Sequence, residues 1–192
     1  MLVMVVGGCG QKSYNKQRFV LDISRPASLA KEPGHLRLKV EPFTINPAFA
    51  SKSLVYRKSR FQFETDFYNE FLISPTDLVT QVTRQWMSQS DLFEYVNGNA
   101  GKNAVVLQAN IFALYGDFSH KSQPGAVAAI QFFLTRNNEV LFHKTYTEKT
   151  LLDTLSADGL MKALNECLEN ILKDLEFDMR AKLDKIAENS EK

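Results

Sequence analysis

Scarcity narrows the reading of this sequence before any motif does. Its 192 residues include only two cysteines, Cys9 and Cys167, whose spacing implies no disulfide framework. The three histidines, His35, His120 and His143, are scattered, and none has an i, i+4 or C-x-x-C partner with which to hold a metal. Nine glycines and six prolines are few for a disordered chain, the more so beside fourteen phenylalanines. No glycine-rich phosphate loop is present, because Gly7-Gly8-Cys9-Gly10 lacks a preceding strand and a following helix, and there is no G-x-S-x-G elbow. Neither sign of charge dominates: 23 Lys and Arg against 22 Asp and Glu leave +1, so the chain offers no strong field to nucleic acid or to an acidic membrane. No apolar stretch approaches the roughly 18 residues that span a bilayer. Enzyme chemistry, a resident cofactor or metal, and a nucleic-acid partner are therefore not expected. What remains is one globular domain of a length that supports a full core.

The most informative stretch runs from Val55 to Trp86. Phe61, Phe63, Thr65 and Phe67 alternate with Gln62, Glu64 and Asp66, the period of a half-buried strand with its aromatics turned to the core. Leu54-Val55-Tyr56 reads as the partner strand, and Arg57-Lys58-Ser59-Arg60 as the hairpin turn between them. The period then changes. Ser74-Pro75-Thr76-Asp77 offers an N-cap oxygen, a proline at the first helical position and an acid three residues after the cap. Leu78, Val82 and Trp86, with Val79 beside them, follow at helical spacing, which predicts a helix over Pro75–Ser90 whose tryptophan meets the hairpin.

Elsewhere, Phe19–Ile23 and the alternating Leu36–Val40 read as strands. The apolar runs Ala104–Phe118, Val127–Thr135 and Val140–Thr147 predict a three-stranded antiparallel meander, its last turn made by Asn137-Asn138, since asparagine tolerates positive φ. Ser156 caps a final helix with the stripe Leu160, Leu164, Cys167, Leu168, Ile171, Leu172 and Leu175. A weaker stripe through Met179, Leu183 and Ile186 is expected to overhang or fray. The expected fold is α/β of the α+β kind, a mostly antiparallel sheet with two main helices, Pro75–Ser90 and Ala157–Leu175, packed on one face.

Val55-Tyr56-Arg57, the run Phe67-Tyr68-Asn69-Glu70-Phe71, Pro75, and Trp86 followed by Ser90-Asp91-Leu92-Phe93 resemble the ABC-type transport auxiliary lipoprotein family. These are envelope lipoproteins encoded beside MCE-type lipid transport systems, the lipoprotein of the paraquat-inducible operon among them. The likeness extends more weakly from about Phe19 to Leu175. It implies a non-enzymatic protein that assists such a transporter by tethering and docking. It also implies a partner that is an MCE-type membrane protein or an ABC transport complex, and a role in membrane integrity.

The N-terminal Val6-Gly7-Gly8-Cys9 is similar to the bacterial lipobox, in which cleavage leaves the cysteine thiol to carry lipid. The residues alone fit equally a short buried strand ending in a glycine turn; the family resemblance favours lipidation at Cys9. No Lys or Arg precedes Cys9 and the segment is shorter than a secretory signal, so the expected start lies upstream of Met1. Gly10 after the cysteine does not supply the aspartate signal for inner-membrane retention, which implies the periplasmic face of the outer membrane. The expected organisation is a truncated signal segment (1–8), a tether (9–17) reaching no more than about 29 Å, a globular domain (18–178) and a charged helical extension (179–192).

Tyr56, Arg57 and Lys58 are the candidate partner-binding residues, because Tyr and Arg are over-represented among the residues that dominate interfaces. The plainer alternative packs Tyr56 under the hairpin and pairs Arg57 with Glu64 across it. Lys52, Tyr56, Arg57, Lys58 and Arg60 mix basic and aromatic residues as a nucleic-acid surface does, but with so little net charge they read as a hairpin tip. Glu64, Asp66 and Glu70 cluster in sequence, with a solvated strand face as the simpler explanation. Cys167 reads as a small core residue, and a Cys9–Cys167 disulfide as its sharper alternative. Two rival functions follow: a lipid-binding module holding an acyl chain between sheet and helices, and an enzyme using Glu64, Asp66 or His143.

Overall fold

The structure, a computed structural model, describes residues 15–26, 34–97 and 104–190. Cys9, the signal segment and most of the tether lie outside the described residues. The three apolar runs form three long strands, β7 (Val105–Asp117), β8 (Gly125–Arg136) and β9 (Glu139–Leu151). They make the expected antiparallel meander, with Ile111 opposite Ile130 and Ile130 opposite Tyr146. Asn137 and Asn138 close its tight turn at φ 50° and 67°, the left-handed pair that matches the twist of the flanking strands.

The other edge of β7 is covered piecewise. Strands β2 (Arg37–Val40), β3 (Thr44–Ile45) and β4 (Ser53–Arg57) pair with it in succession, in parallel, at Val105, Asn110 and Gly116. These stretches follow one another in the direction β7 itself runs, so only parallel ladders are open to them. Strand β5 (Phe63–Phe71) pairs antiparallel with β4, and the short β1 (Gln17–Phe19) pairs parallel with β5 at the sheet margin. Strand β6 (Tyr95–Val96) adds to β2. The sheet among the described residues is thus nine-stranded and mixed. Its long ladders are antiparallel, as expected, and its short ones are mostly parallel.

Helices α1 (Pro75–Ser88) and α2 (Ala157–Ser190) join one apolar core with the sheet. The cap of α1 is the one the sequence spells: the Asp77 amide donates to Ser74 Oγ (3.1 Å), and that hydroxyl donates to Asp77 Oδ2 (2.7 Å). Ser156 caps α2 through the Gly159 amide (3.0 Å). The α2 stripe from Leu160 to Leu175 is buried against β8 residues such as Ala128, Ile130 and Phe132. Fully burying each large side chain there contributes about 1.5–3 kcal/mol. Gly116 lets the helix come close, since a Cβ there would lie 3.2 Å from the Leu160 side chain. Met179 and Leu183 are buried too, so packing of α2 continues past residue 178 where an overhang was expected.

Three expectations need correction. The first strand is Gln17–Phe19, not Phe19–Ile23: the chain after β1 leaves the sheet, burying Leu21 and Ile23 while the Asp22 amide donates to Asn165 of α2 (2.8 Å). The alternation of β5 is present but its faces are reversed. Val55 lies opposite Thr65 and Arg57 opposite Phe63, whereas Leu54 and Tyr56 turn to the helix-covered core. The aromatics therefore point away from the helices, and a shift of one residue decides which side of a sheet is buried. Phe67 is 70% and Phe61, in the turn, 85% exposed. Trp86 is buried, yet it meets α2 and not the hairpin, its Nε1 donating to Glu176 Oε2 (2.9 Å).

Glu176 is the hub of that contact. Arg25 reaches it with Nε and Nη2, both at 2.8 Å, and Arg180 Nη2 adds a third cationic donor at 3.3 Å. Burial works to raise its carboxyl, but Arg25, Trp86 and Arg180 outweigh that and hold it below the ordinary range. Trp86→Ala is expected to cost about 3–5 kcal/mol in urea unfolding, from the lost ring. Glu176→Gln is expected to cost about 3 kcal/mol at pH 7, by leaving Arg25 without its counter-charge. Because the folded carboxyl titrates below the unfolded one, this stabilisation is complete above about pH 4.5 and drains as pH falls below it. Wild type and Glu176→Gln should converge once the pH has fallen through the lowered pKa of the folded carboxyl.

Candidate docking surface

The β4–β5 hairpin carries all three residues singled out for partner binding, and the structure divides them between two faces. Tyr56 lies under the hairpin with its hydroxyl donating to Asp66 Oδ2 at 2.7 Å and its ring edge-on to Phe118 at 5.4 Å. Lys58 sits over both rings, 5.8 Å from Tyr56 and 5.6 Å from Phe118, and pairs with Glu64 at 3.4 Å. Arg57 points the other way: its Nη1 donates to the Tyr115 hydroxyl (3.3 Å) and its Nε lies 3.9 Å from Asp117. The Arg57–Glu64 pair is not formed, because Glu64 is in register with Tyr56, and Lys58 takes it instead.

Asp117 is nearly buried, accepts from the Ser119 amide and hydroxyl, and has Lys149 at 3.5 Å as its second cation. Burial pushes its carboxyl up, yet those donors and the two cations hold it below the ordinary range. Asp66 behaves alike. Burial is opposed and outweighed by donors from Asn69, Tyr56 and the Tyr68 and Asn69 amides, so its carboxyl also sits low, while burial and Asp66 together push the Tyr56 phenol up. Phe49, Phe63 and Tyr115 pack ring against ring on the Arg57 side, with centroids 5.3–5.9 Å apart. Both faces of the hairpin are thereby fixed from within. What projects from this frame is the tip, with Phe61 in water and Arg60 over its ring at 5.1 Å.

The sequence placed a hairpin tip here but read Phe61 as part of an inward strand face, and so missed the exposed ring that the tip carries. A second exposed apolar group was missed for the same reason: Val20, Phe67, Tyr68, Leu72 and Ile73 surround the short β1. Val20, Leu72 and Ile73 open onto a groove of about 280 Å³ floored by Leu21, Leu78 and Val82 of the core. The remaining candidates do not converge. Glu70 is held by Lys16 (2.8 Å) and Arg18 (3.1 Å), Glu64 by Lys58, and the His143 ring stacks on Phe133 at 6.2 Å. Cys167 is a free buried thiol with its Sγ 3.7 Å from the Ala126 carbonyl, and burial pushes its pKa up. No group of acidic, His and Cys side chains among the described residues could hold a metal ion.

No family model matches the chain, and no curated protein does. Solved structures of other proteins share its fold. Protein XCC0632 from Xanthomonas campestris, described under the family model DUF330, superposes with a TM-score of 0.72 at 13% identity, covering 91% of this chain and 98% of its own. A protein described as uncharacterized superposes equally well, TM-score 0.72 at 12% identity, over 86% of this chain and 99% of its own. Sheet and helices together are therefore an arrangement found in other proteins.

Asp66→Asn is expected to lower stability at pH 7 by about 1.5–3 kcal/mol, the size of a hydrogen bond to a charged group. It should also flatten the acid limb of the stability–pH curve below about pH 4, where the wild-type carboxylate is lost. Arg57→Glu sets a carboxylate against buried Asp117 and should cost about 3 kcal/mol. Arg60→Glu, at the open tip, should change stability by no more than about 0.5 kcal/mol. Chemical denaturation of the three variants checks these outcomes.

Proposed function

We propose that the chain is a non-enzymatic lipoprotein of the bacterial envelope, held by lipid on Cys9 at the periplasmic face of the outer membrane. In this reading it is an auxiliary component of an MCE-associated ABC-type lipid transport system and works by docking. The observation that carries the docking role is the hairpin: a cross-braced frame that spends Tyr56, Arg57 and Lys58 on internal contacts and leaves an aromatic tip in water. A rigid, pre-organised tip loses little conformational freedom on binding, and an aromatic ring backed by Arg60 suits a partner's apolar pocket with an acidic rim. The anchor and the transport system rest on the Val6-Gly7-Gly8-Cys9 motif and the family resemblance, with which the shared fold is compatible.

Tyr56, Arg57 and Lys58 act here by holding the tip in place, and Arg60 and Phe61 make the contact. A photo-crosslinking residue at position 61 should capture an MCE-type or ABC transport component in cells. Arg60→Glu with Phe61→Ser should reduce capture at a neighbouring crosslinking position, 59, by about tenfold with the melting temperature unchanged, the loss expected for one interface anchor. Cys9→Ser, in a gene with a complete signal sequence, should release the protein from the outer-membrane fraction. Unchanged capture by the double variant would move the docking surface elsewhere; retention of Cys9→Ser together with a wild type lacking acyl mass would remove the anchor. A second reading, an acyl chain carried by the protein, is favoured by the groove beside Leu72 and Ile73. It requires a lipid that co-purifies and is visible by native mass spectrometry.

A further inference from the structure

The exposed apolar group around β1 has a position that the docking tip does not explain. Val20, Phe67, Tyr68, Leu72 and Ile73 all show at least a third of their surface to water, and all flank one sheet margin. Exposed apolar groups gathered in one place mark interaction sites, whereas scattered ones need no explanation. The groove there adds a recess of about 280 Å³ whose floor is core and whose rim carries the neutral Gln81 and Gln85.

Two further observations decide what this margin meets. The described residues begin at Asn15, two residues before β1, so a tether from Cys9 joins the domain at this same margin. Six residues from Cys9 to Asn15 span no more than about 22 Å even when fully extended. Three cations border the margin: Lys16 lies 5.6 Å over the Phe67 ring and shares Glu70 with Arg18, and Lys52 donates to the Leu72 carbonyl. Aromatic and aliphatic side chains fringed by Lys and Arg are the make-up of a surface that settles at the headgroup–acyl boundary.

We infer that the β1 margin is the face this protein lays on its bilayer, with Val20, Leu72 and Ile73 entering the interface and Lys16, Arg18 and Lys52 at the headgroups. The inference rests on the lipid anchor at Cys9 proposed above. The anchor holds the protein at the membrane, and the margin sets which way it faces. Strand β9 then lies five strand spacings across the sheet, about 24 Å away at roughly 4.8 Å each.

The test replaces the acyl anchor by a chemical one, so that it does not depend on processing in cells. The full chain is coupled through Cys9, Cys167 being buried, to maleimide-bearing lipid in phosphatidylethanolamine–phosphatidylglycerol vesicles, with plain or brominated acyl chains. Tryptophan is placed at Leu72 on the margin or at Val140 on β9, both exposed, and the buried Trp86 of the unsubstituted chain serves as the blank. Leu72→Trp should shift its emission to the blue on coupling and lose about half its intensity in brominated vesicles, as a side chain about 5–10 Å into the boundary would. Val140→Trp should do neither. Leu72→Trp unquenched in fully coupled vesicles overturns the inference and assigns the patch to a protein partner. Equal quenching at both positions overturns it as well, since no face is then preferred. Absence of acyl mass on Cys9 in cells, read by mass spectrometry of the protein from membranes, would refute the anchor instead and leave the vesicle result standing.

Discussion

Much of this structure depends on keeping one carboxylate charged inside the protein. Glu176 lies where α1, α2 and the chain after β1 meet, and a charge withdrawn from water there is tolerable only if every lone pair is used. Arg25, Trp86 and Arg180 use them. Each donor comes from a segment that no sheet ladder would fix in that place. Arg25 holds the connection leaving β1, Trp86 holds α1, and Arg180 also reaches back to the Ser90 carbonyl beyond the end of α1 (2.9 Å). Apolar packing alone would let the two helices slide on one another; the Trp86–Glu176 bond, with Arg180 reaching the Ser90 carbonyl, sets their register.

The local order of the fold was readable where pattern and chemistry agreed. The Ser74–Asp77 cap, the Asn137-Asn138 turn and the α2 stripe are local statements, and each appears as written. The parallel pairing of β2, β3 and β4 with β7 was not readable, because short strands carry no mark of direction and their partner lies far along the chain. The reversed face of β5 failed for a different reason. Period two reports that a strand has two unlike sides but not which one the helices cover, and aromatic residues on the open side look the same as aromatic residues in a core. Glu176 and Arg25 gave no signal at all, being ordinary charged residues far apart in sequence.

The same ambiguity hid the surfaces of interest. Tyr56, Arg57 and Lys58 stood out because their residue types are common at interfaces, yet the structure commits all three to Asp66, Asp117, Tyr115 and Glu64. The exposed side chains are those that resembled core. A binding surface built from apolar groups cannot be told from an interior by composition, only by what the rest of the chain fails to cover. The fold supplies this by placing α1 and α2 in one core on one face of a sheet whose hairpin extends beyond them.

Strand β1 has a mechanical meaning. It is joined to the body by three register pairs with β5 and by the Glu70 ion pairs, and the proposed tether would lie directly upstream. Any tension on that tether reaches β1 before it reaches anything else. Behind it, Leu21 and Ile23 are sunk in the core and the Asp22 amide is bonded to α2. A pull strong enough to peel the strand therefore meets a second, apolar grip before it can disturb the helices. Between the two, in the anchored protein proposed above, β1 would work as a fuse: a few residues would let go and re-form, giving slack to the attachment while the domain that carries the hairpin stays folded.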